Sequence, residues 1–143
     1  MSEIVCPGCG AVNRLPPEKP AGMARCGKCR EPLFQGRPSE LDARGLARHI
    51  ARDSIPVVID FWADWCGPCK MMAPEFVKAA RALEPHVRFA KLDTEAAPEA
   101  AAAHGIRSIP TMILFKGGRE LARQSGAMPA EQIVRWLREA ALA

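Results

Sequence analysis

The sequence is poor in aromatic residues, has no tyrosine and contains no long apolar run. Its 143 residues include three Trp and five Phe, so a core must be built mainly from aliphatic side chains. No apolar segment approaches the roughly 20 residues of a membrane-spanning helix. Residues 1–6 have neither the basic start nor the apolar stretch of a secretory signal. We therefore expect a soluble protein of the cytoplasm.

Charge of one sign is not in large excess either. The formal net charge is +4, and no basic cluster stands out, which argues against nucleic acid as a partner. A hydrophobic fraction of 48% over this length fits one ordinary domain plus a small extra unit.

The chain does contain six cysteines. In a reducing compartment cysteines more often bind metal or do chemistry than form structural disulfides.

The first four cysteines form two Cys-x-x-Cys pairs, which are separated by sixteen residues. This spacing is typical of a four-thiolate zinc site. The surrounding segment is rich in proline and glycine, and it cannot bury enough apolar surface to offset its ordering entropy unaided. We predict a module over residues 1–38 that binds one zinc ion. Two extra disulfides or a metal that is released on oxidation are the alternatives. The predicted ligands are Cys6, Cys9, Cys26 and Cys29.

From residue 39 onward the apolar periodicity predicts alternating helices and strands. Ser39 is expected to cap a first helix that runs through Leu41, Leu46, His49 and Ile50, with His49 partly exposed. The Gly117-Gly118 pair predicts a hairpin turn. The remaining predicted elements are a strand over 56–62, a helix over 67–83, strands over 87–92, 111–115 and 120–125, and helices over 95–104 and 128–142. This order predicts an α/β domain over residues 39–143, with a mixed central sheet flanked by helices.

The third cysteine pair, Cys66-Gly67-Pro68-Cys69, lies between a predicted buried strand and a helix. Two thiols in a first helical turn can form a disulfide with little backbone movement. Cys66 is predicted at the helix N-terminus, where free N–H groups favour a thiolate, the attacking species. Cys69, one turn further in, is expected to be more shielded and to resolve the mixed disulfide. The alternative for this pair is half of a zinc site.

A buried base would help Cys69 to attack the mixed disulfide, because that attack requires a deprotonated thiol. Asp60 is the candidate for this base. It lies inside the apolar run 57–62. Burial would raise the pKa of its carboxyl and allow proton exchange near neutral pH. The alternative, weighed equally from the pattern alone, is an aspartate at a strand end that faces solvent.

Residues 57–70 resemble the active-site segment of the thioredoxin family almost residue for residue. The resemblance extends over about 100 residues, and it continues through Ala73-Pro74, Lys91-Leu92-Asp93, residues 105–111, residues 115–118 and Gly126. Together with the N-terminal pairs, the chain resembles the zinc-bearing bacterial subgroup called thioredoxin 2.

The resemblance implies the thioredoxin fold and several residue roles. Asp60 would serve Cys69, with Lys91 tuning its charge, and Pro110 would be a cis-proline facing the disulfide. The residues implied for the docking surface are Trp62, Trp65, Gly67, Pro68, Ile109, Pro110 and Gly126. No organic cofactor is implied. The Gly-Pro dipeptide between the cysteines is the reductase version in that family.

The leading hypothesis is therefore an enzyme, a thiol–disulfide oxidoreductase that reduces protein disulfides. The resemblance implies that an NADPH-dependent thioredoxin reductase regenerates it. We expect a monomer. The rival hypotheses are a binding scaffold whose zinc module selects partners and an oxidant-sensing zinc switch.

Overall fold

The computed structural model describes residues 1–142 and contains two β-sheets, one of two strands and one of five. The strands are β1 (Ser2–Val5), β2 (Val12–Leu15), β3 (Ser39–Glu40), β4 (Val57–Trp62), β5 (Arg88–Asp93), β6 (Thr111–Lys116) and β7 (Arg119–Ser125). The α-helices are α1 (Ala43–Arg52), α2 (Gly67–Leu83), α3 (Pro98–Ala103) and α4 (Ala130–Leu137). A 3-10 helix covers Ala21–Met23, and a π-helical segment, Arg138–Leu142, follows α4.

The larger sheet is mixed and is covered on both faces. Its strand order is β3-β5-β4-β6-β7, with β3, β5 and β4 parallel and the last two pairings antiparallel. Helices α2 and α4 pack on the face that contains Val58, whereas α1 packs on the face that contains Ile59. Strand side chains alternate between faces, so a strand covered on both sides is apolar at nearly every position. The predicted α/β class is confirmed.

The start of the first helix was predicted wrongly. Ser39 does not cap it, because Ser39 and Glu40 form β3 and pair with β5. The N-cap is Asp42, whose carboxylate accepts a hydrogen bond of 2.7 Å from the Gly45 N–H. An aspartate satisfies a free N–H of the first turn as well as a serine does. The extended backbone after Pro38 is then free to pair with the sheet edge.

The N-terminal module is more regular than the sequence predicts. Strands β1 and β2 form an antiparallel hairpin in which Val5 pairs with Val12. The module also has a small apolar core of its own, formed by Ile4, Cys6, Leu15, Ala24, Cys26, Leu33 and Phe34. Four-residue strands are too short for a periodic signal, which is why the sequence did not indicate them.

Buried charged side chains join the module to the larger sheet. Asp53 accepts a hydrogen bond of 2.7 Å from the Val5 N–H, and Arg88 donates one of 3.1 Å to the Val5 carbonyl. His49 is 1% exposed, and its Nδ1 lies 2.6 Å from Asp53 Oδ2. The prediction that His49 is partly exposed was therefore wrong. The helix that contains His49 faces the module as well as the sheet, and this contact cannot be predicted from helical periodicity.

The other elements agree closely with the predicted ones. Helix α2 has the predicted bounds, and Gly117 and Gly118, with φ of 62° and 79°, form the turn between β6 and β7. Helix α3 begins at Pro98, later than predicted, in agreement with the preference of proline for the first helical turn. Within residues 1–142 no helix is long and apolar enough to span a membrane.

Candidate functional site

A disulfide between Cys66 and Cys69 lies at the junction of β4 and α2. Cys66 is the N-cap residue of α2, and its Sγ accepts a hydrogen bond of 3.2 Å from the Cys69 N–H. The two cysteines are 4% and 3% exposed, so the expected difference in shielding is not seen in this oxidised form. The helix N-terminus directs N–H groups and the positive end of the helix dipole at Cys66, which favours a thiolate there after reduction.

The loop before β6 faces this disulfide. The peptide bond between Ile109 and Pro110 is cis, and the Ile109 carbonyl oxygen lies 3.6 Å from Cys66 Sγ. Gly126 donates a backbone hydrogen bond of 2.9 Å to the Pro110 carbonyl and has a φ of 96°, which glycine adopts most readily. The structure therefore places the Ile109–Pro110 loop beside Cys66 and joins Gly126 to that loop, although these residues are distant in sequence.

Exposed residues surround the disulfide on its helix side. Trp65 is 69% exposed, and Gly67 and Pro68 are exposed as well. The Trp65 indole N–H donates a hydrogen bond of 2.7 Å to Glu95 Oε1. No sequence signal singles out Glu95, because it lies thirty residues from Trp65, in a turn. An exposed aromatic ring held by one hydrogen bond can contact an apolar partner without a large cost in side-chain entropy.

Asp60 lies inside the sheet beneath this surface. Its side chain is fully buried, and neither carboxylate oxygen has a hydrogen-bond partner among residues 1–142. Burial raises the pKa of Asp60 to about 7, Lys91 opposes this rise, and the negative charge of Glu40 adds to it. Lys91 pairs with Asp60 across β4 and β5, and its Nζ lies 4.6 Å from the centre of the Trp62 ring. Of the two orientations that the sequence left open, the structure has the buried one.

The four remaining thiols form a compact cluster in the N-terminal module. Their sulfur atoms all lie within 4.8 Å of one another. The Sγ atoms of Cys6 and Cys29 are 3.6 Å apart, as are those of Cys9 and Cys26. In a tetrahedral site with Zn–S bonds of about 2.3 Å, the sulfurs are roughly 3.8 Å apart. The cluster therefore fits a tetrahedral zinc site, and Cys66 and Cys69 are not part of it.

The backbone around this cluster is arranged for thiolate ligands. Each Cys-x-x-Cys pair lies in the same kind of turn: Gly10 N–H donates to the Cys6 carbonyl, and Arg30 N–H donates to the Cys26 carbonyl. The backbone N–H of Cys29 lowers the pKa of the Cys26 thiol to about 6. Asn13 adds a contact of 3.6 Å from its side-chain amide to Cys26 Sγ. These two donors stabilise the deprotonated sulfur of Cys26, whereas burial raises the pKa of the Cys6 thiol to about 12.

Known families match both units. The thioredoxin family model matches residues 38–139, and the model described as "Thioredoxin 2, N-terminal" matches residues 5–31. The chain is 48% identical over 134 residues to "Thioredoxin C-3" of Corynebacterium nephridii, covering 94% of this chain and 92% of the relative. It is 51% identical over 78 residues to a thioredoxin of Alicyclobacillus acidocaldarius, covering 54% of this chain and 74% of the relative.

A solved structure is similar as well. The thioredoxin of Malassezia sympodialis (Mala s 13) superimposes with a TM-score of 0.67 at 32% identity. The match covers 76% of this chain and 95% of that protein.

Proposed function

Because the chain belongs to the thioredoxin family, and is thus a thiol–disulfide oxidoreductase that reduces protein disulfides, we propose specific roles for its site residues. Cys66 is the attacking nucleophile, and Cys69 resolves the intermediate. The observation that supports this order is the position of Cys66 Sγ. Cys66 Sγ accepts a hydrogen bond from the Cys69 N–H at the start of α2, and it lies beside the Ile109–Pro110 loop. Cys69 lies within the first turn of α2, after the N-cap position that Cys66 occupies.

The reaction is a pair of thiol–disulfide exchanges. The Cys66 thiolate attacks one sulfur of the substrate disulfide, a bond forms between them, and the other substrate sulfur leaves as a thiolate. The Cys69 thiolate then attacks Cys66 Sγ and breaks the mixed disulfide. The second substrate sulfur leaves, and the Cys66–Cys69 disulfide remains. Both substrate thiolates take up protons, so the substrate gains two electrons and two protons in total.

Asp60 is the proton acceptor for Cys69 in the second exchange. A buried carboxyl with a pKa of about 7 is ionised in a large fraction of molecules at neutral pH, yet it binds a proton readily. Lys91, its neighbour across β4 and β5, limits how far burial raises the pKa of Asp60.

The substrate is a protein segment that contains a disulfide and that docks in an extended conformation. Ile109 and Pro110 provide a backbone edge beside Cys66, and Gly126 leaves the space next to them free of side-chain atoms. Around the disulfide, Trp65, Gly67 and Pro68 form the exposed surface that contacts the segment.

Replacing Cys69 with serine is expected to trap the substrate. Without the resolving thiol, the mixed disulfide at Cys66 cannot be broken from within, so an adduct with a disulfide-containing protein such as insulin should accumulate. The adduct is measured by intact mass under non-reducing conditions. The matched control is Cys66→Ser, which should form no adduct and reduce no disulfide. A comparable adduct on Cys69 in the Cys66→Ser variant would contradict the proposed order of attack.

The four-thiol cluster holds one zinc ion as a closed, structural site. Its ligands are Cys6, Cys9, Cys26 and Cys29, which leave no open position for a substrate. Such an ion lowers the free energy of the folded module, because the ligands gather only when the module is folded. We place the module at residues 1–38 and the thioredoxin domain at residues 39–143.

The native mass of the protein is expected to include one zinc ion before and after mild oxidation. Oxidation should remove two hydrogens, because Cys66 and Cys69 alone form a disulfide while the four ligand thiolates stay bound. Intact-mass spectrometry under native and denaturing conditions measures both changes. A loss of zinc together with four further hydrogens would mean that the module takes part in the redox chemistry, as an oxidant-sensing switch would.

The oxidised pair must be reduced before the next cycle. We propose that an NADPH-dependent thioredoxin reductase supplies these electrons and that the protein works as a monomer in the reducing cytoplasm. The scaffold alternative is less well supported, because a pure binding role does not need both Cys66 and Cys69.

A further inference from the structure

Charged side chains of alternating sign lie across the three parallel strands at the level of Asp60. Glu40 on β3 pairs with Lys91 on β5, and Lys91 pairs with Asp60 on β4. Side chains of paired residues project from the same face of a sheet. Since neighbouring strands are about 4.8 Å apart, Glu40 and Asp60 are separated by roughly 10 Å with Lys91 between them. The three side chains therefore form a row in which the basic Lys91 lies between the acidic Glu40 and Asp60.

Lys91 lies between the two acids but forms a close ion pair with neither of them among the described residues. Among residues 1–142 no ion pair within 4.0 Å includes Lys91, and its Nζ lies over the Trp62 ring instead. Asp93 and Asp64 also lie close enough to Glu40 to repel it. One cation thus serves both Glu40 and Asp60, and each carboxylate weakens the interaction of Lys91 with the other.

The other elements packed around Asp60 contribute no charge at this level. Its partner on β6 is Met112, and α4 contributes the buried apolar residues Ile133 and Leu137 to this face. Helix α2 contributes Cys69, the titratable group that Asp60 is proposed to serve. The charges that bear on Asp60 are therefore those of Lys91 and Glu40.

We propose that Glu40 is a positioning residue for the reaction. It competes with Asp60 for Lys91 and keeps a negative charge on the other side of Lys91 from Asp60. This inference rests on the role proposed for Asp60. Its consequence is that the edge strand β3 helps to keep Asp60 able to bind a proton at neutral pH. Without the Glu40 charge, Lys91 would act on Asp60 alone and favour its ionised form, so the pKa of Asp60 would fall.

The variant Glu40→Gln tests this inference. At a separation of roughly 10 Å and an effective dielectric constant of about 40 to 80, the Asp60 titration should move down by about 0.3 to 0.6 pH unit. The titration is followed directly through the carboxyl carbon of Asp60 by NMR. The pH profile of the second exchange, measured as decay of a mixed disulfide on Cys66, should move down by the same amount.

Two further variants separate charge from structure. Glu40→Asp keeps the charge and should return both midpoints close to the original values. Glu99→Gln removes an exposed carboxylate on α3 and should change neither midpoint.

An Asp60 titration that stays in place in Glu40→Gln, or that moves equally in Glu99→Gln, would overturn the inference. If the titration moves while the rate profile does not, the influence of Glu40 on Asp60 stands, and the role proposed for Asp60 fails instead.

Discussion

Replacing Asp60 with asparagine should remove a pH-dependent cost to stability of up to about 4 kcal/mol. The carboxyl is fully buried, and burial raises its pKa from 3.8 to about 7. In the unfolded chain Asp60 ionises near pH 4, whereas in the folded protein it holds its proton until about pH 7. The folded state therefore loses stability as the pH rises from about 4 to 7, at roughly 1.4 kcal/mol per unit of difference in pKa.

The asparagine variant does not ionise, so its stability relative to the natural protein should improve across the same pH interval. The free energy of unfolding is measured by urea denaturation of the oxidised proteins at pH 4 and at pH 8. The difference between variant and natural protein should change by up to about 4 kcal/mol between these two pH values. Burial also raises the pKa of Glu84 to about 7, but that contribution is common to both proteins and cancels.

The matched control is Asp64→Asn, because Asp64 is exposed four residues further along the chain. Because Asp64 is not desolvated on folding, that substitution should not reproduce the change of up to about 4 kcal/mol between pH 4 and pH 8. If Asp60→Asn had the same pH dependence as the natural protein, Asp60 would not be the group with the raised pKa.

The same variant should react slowly in the second exchange. Loss of a positioned proton acceptor typically costs about 10²-fold or more in rate. The first exchange should be less affected, because it requires only the Cys66 thiolate. Decay of a preformed mixed disulfide on Cys66, followed by rapid quenching, separates the two steps. An unchanged decay rate would contradict the role proposed for Asp60 and leave the stability prediction intact.

Replacing Arg88 with methionine should destabilise the protein by about 3–5 kcal/mol, the usual cost of removing one member of a buried ionic network. Arg88 is 1% exposed, donates to the Val5 carbonyl and lies 3.9 Å from Asp53 Oδ2. Its guanidinium also stacks 4.0 Å from the centre of the Phe34 ring. Methionine fills much of the volume but leaves the Val5 carbonyl unpaired and the Asp53 charge with fewer partners.

Arg52→Met is the matched control for this prediction. Arg52 also connects the two units, through a contact of 3.5 Å with Glu3, but its side chain is 45% exposed. Surface ion pairs contribute about 0–1 kcal/mol, so this variant should unfold close to the natural protein. Urea denaturation measures both variants. Equal losses in the two would show that burial of Arg88 does not determine how firmly the module is joined.

Much of the catalytic segment could be predicted because its signals are local. The apolar run of β4, the Cys66–Cys69 spacing and the helix after it lie within 27 consecutive residues, and α2 has the predicted bounds. The cluster of four thiols could also be predicted, because the spacing of two Cys-x-x-Cys pairs indicates that they come together. Helical and strand periods depend on neighbouring residues, so they are visible in one dimension.

The predictions were wrong where the burial or pairing of a residue depends on partners far along the chain. His49 is buried because its helix also contacts the N-terminal module through Asp53, which binds a residue 48 positions away. Ser39 pairs with Ala90 rather than capping a helix, because the edge of β5 was free to accept another strand. Neither contact leaves a periodic signal in the segment itself.

The sequence by itself therefore determined which two cysteines form the redox pair, which four thiols form the candidate metal site, and that a helix begins directly after Cys66. The tertiary structure decided the environment of that chemistry. It buried Asp60 with no hydrogen-bond partner among residues 1–142, brought the Ile109–Pro110 loop beside the disulfide, and placed Glu40 next to Lys91. The physical reason is that reactivity begins with the chemical nature of a residue, whereas desolvation and electrostatic coupling depend on which distant strands become neighbours.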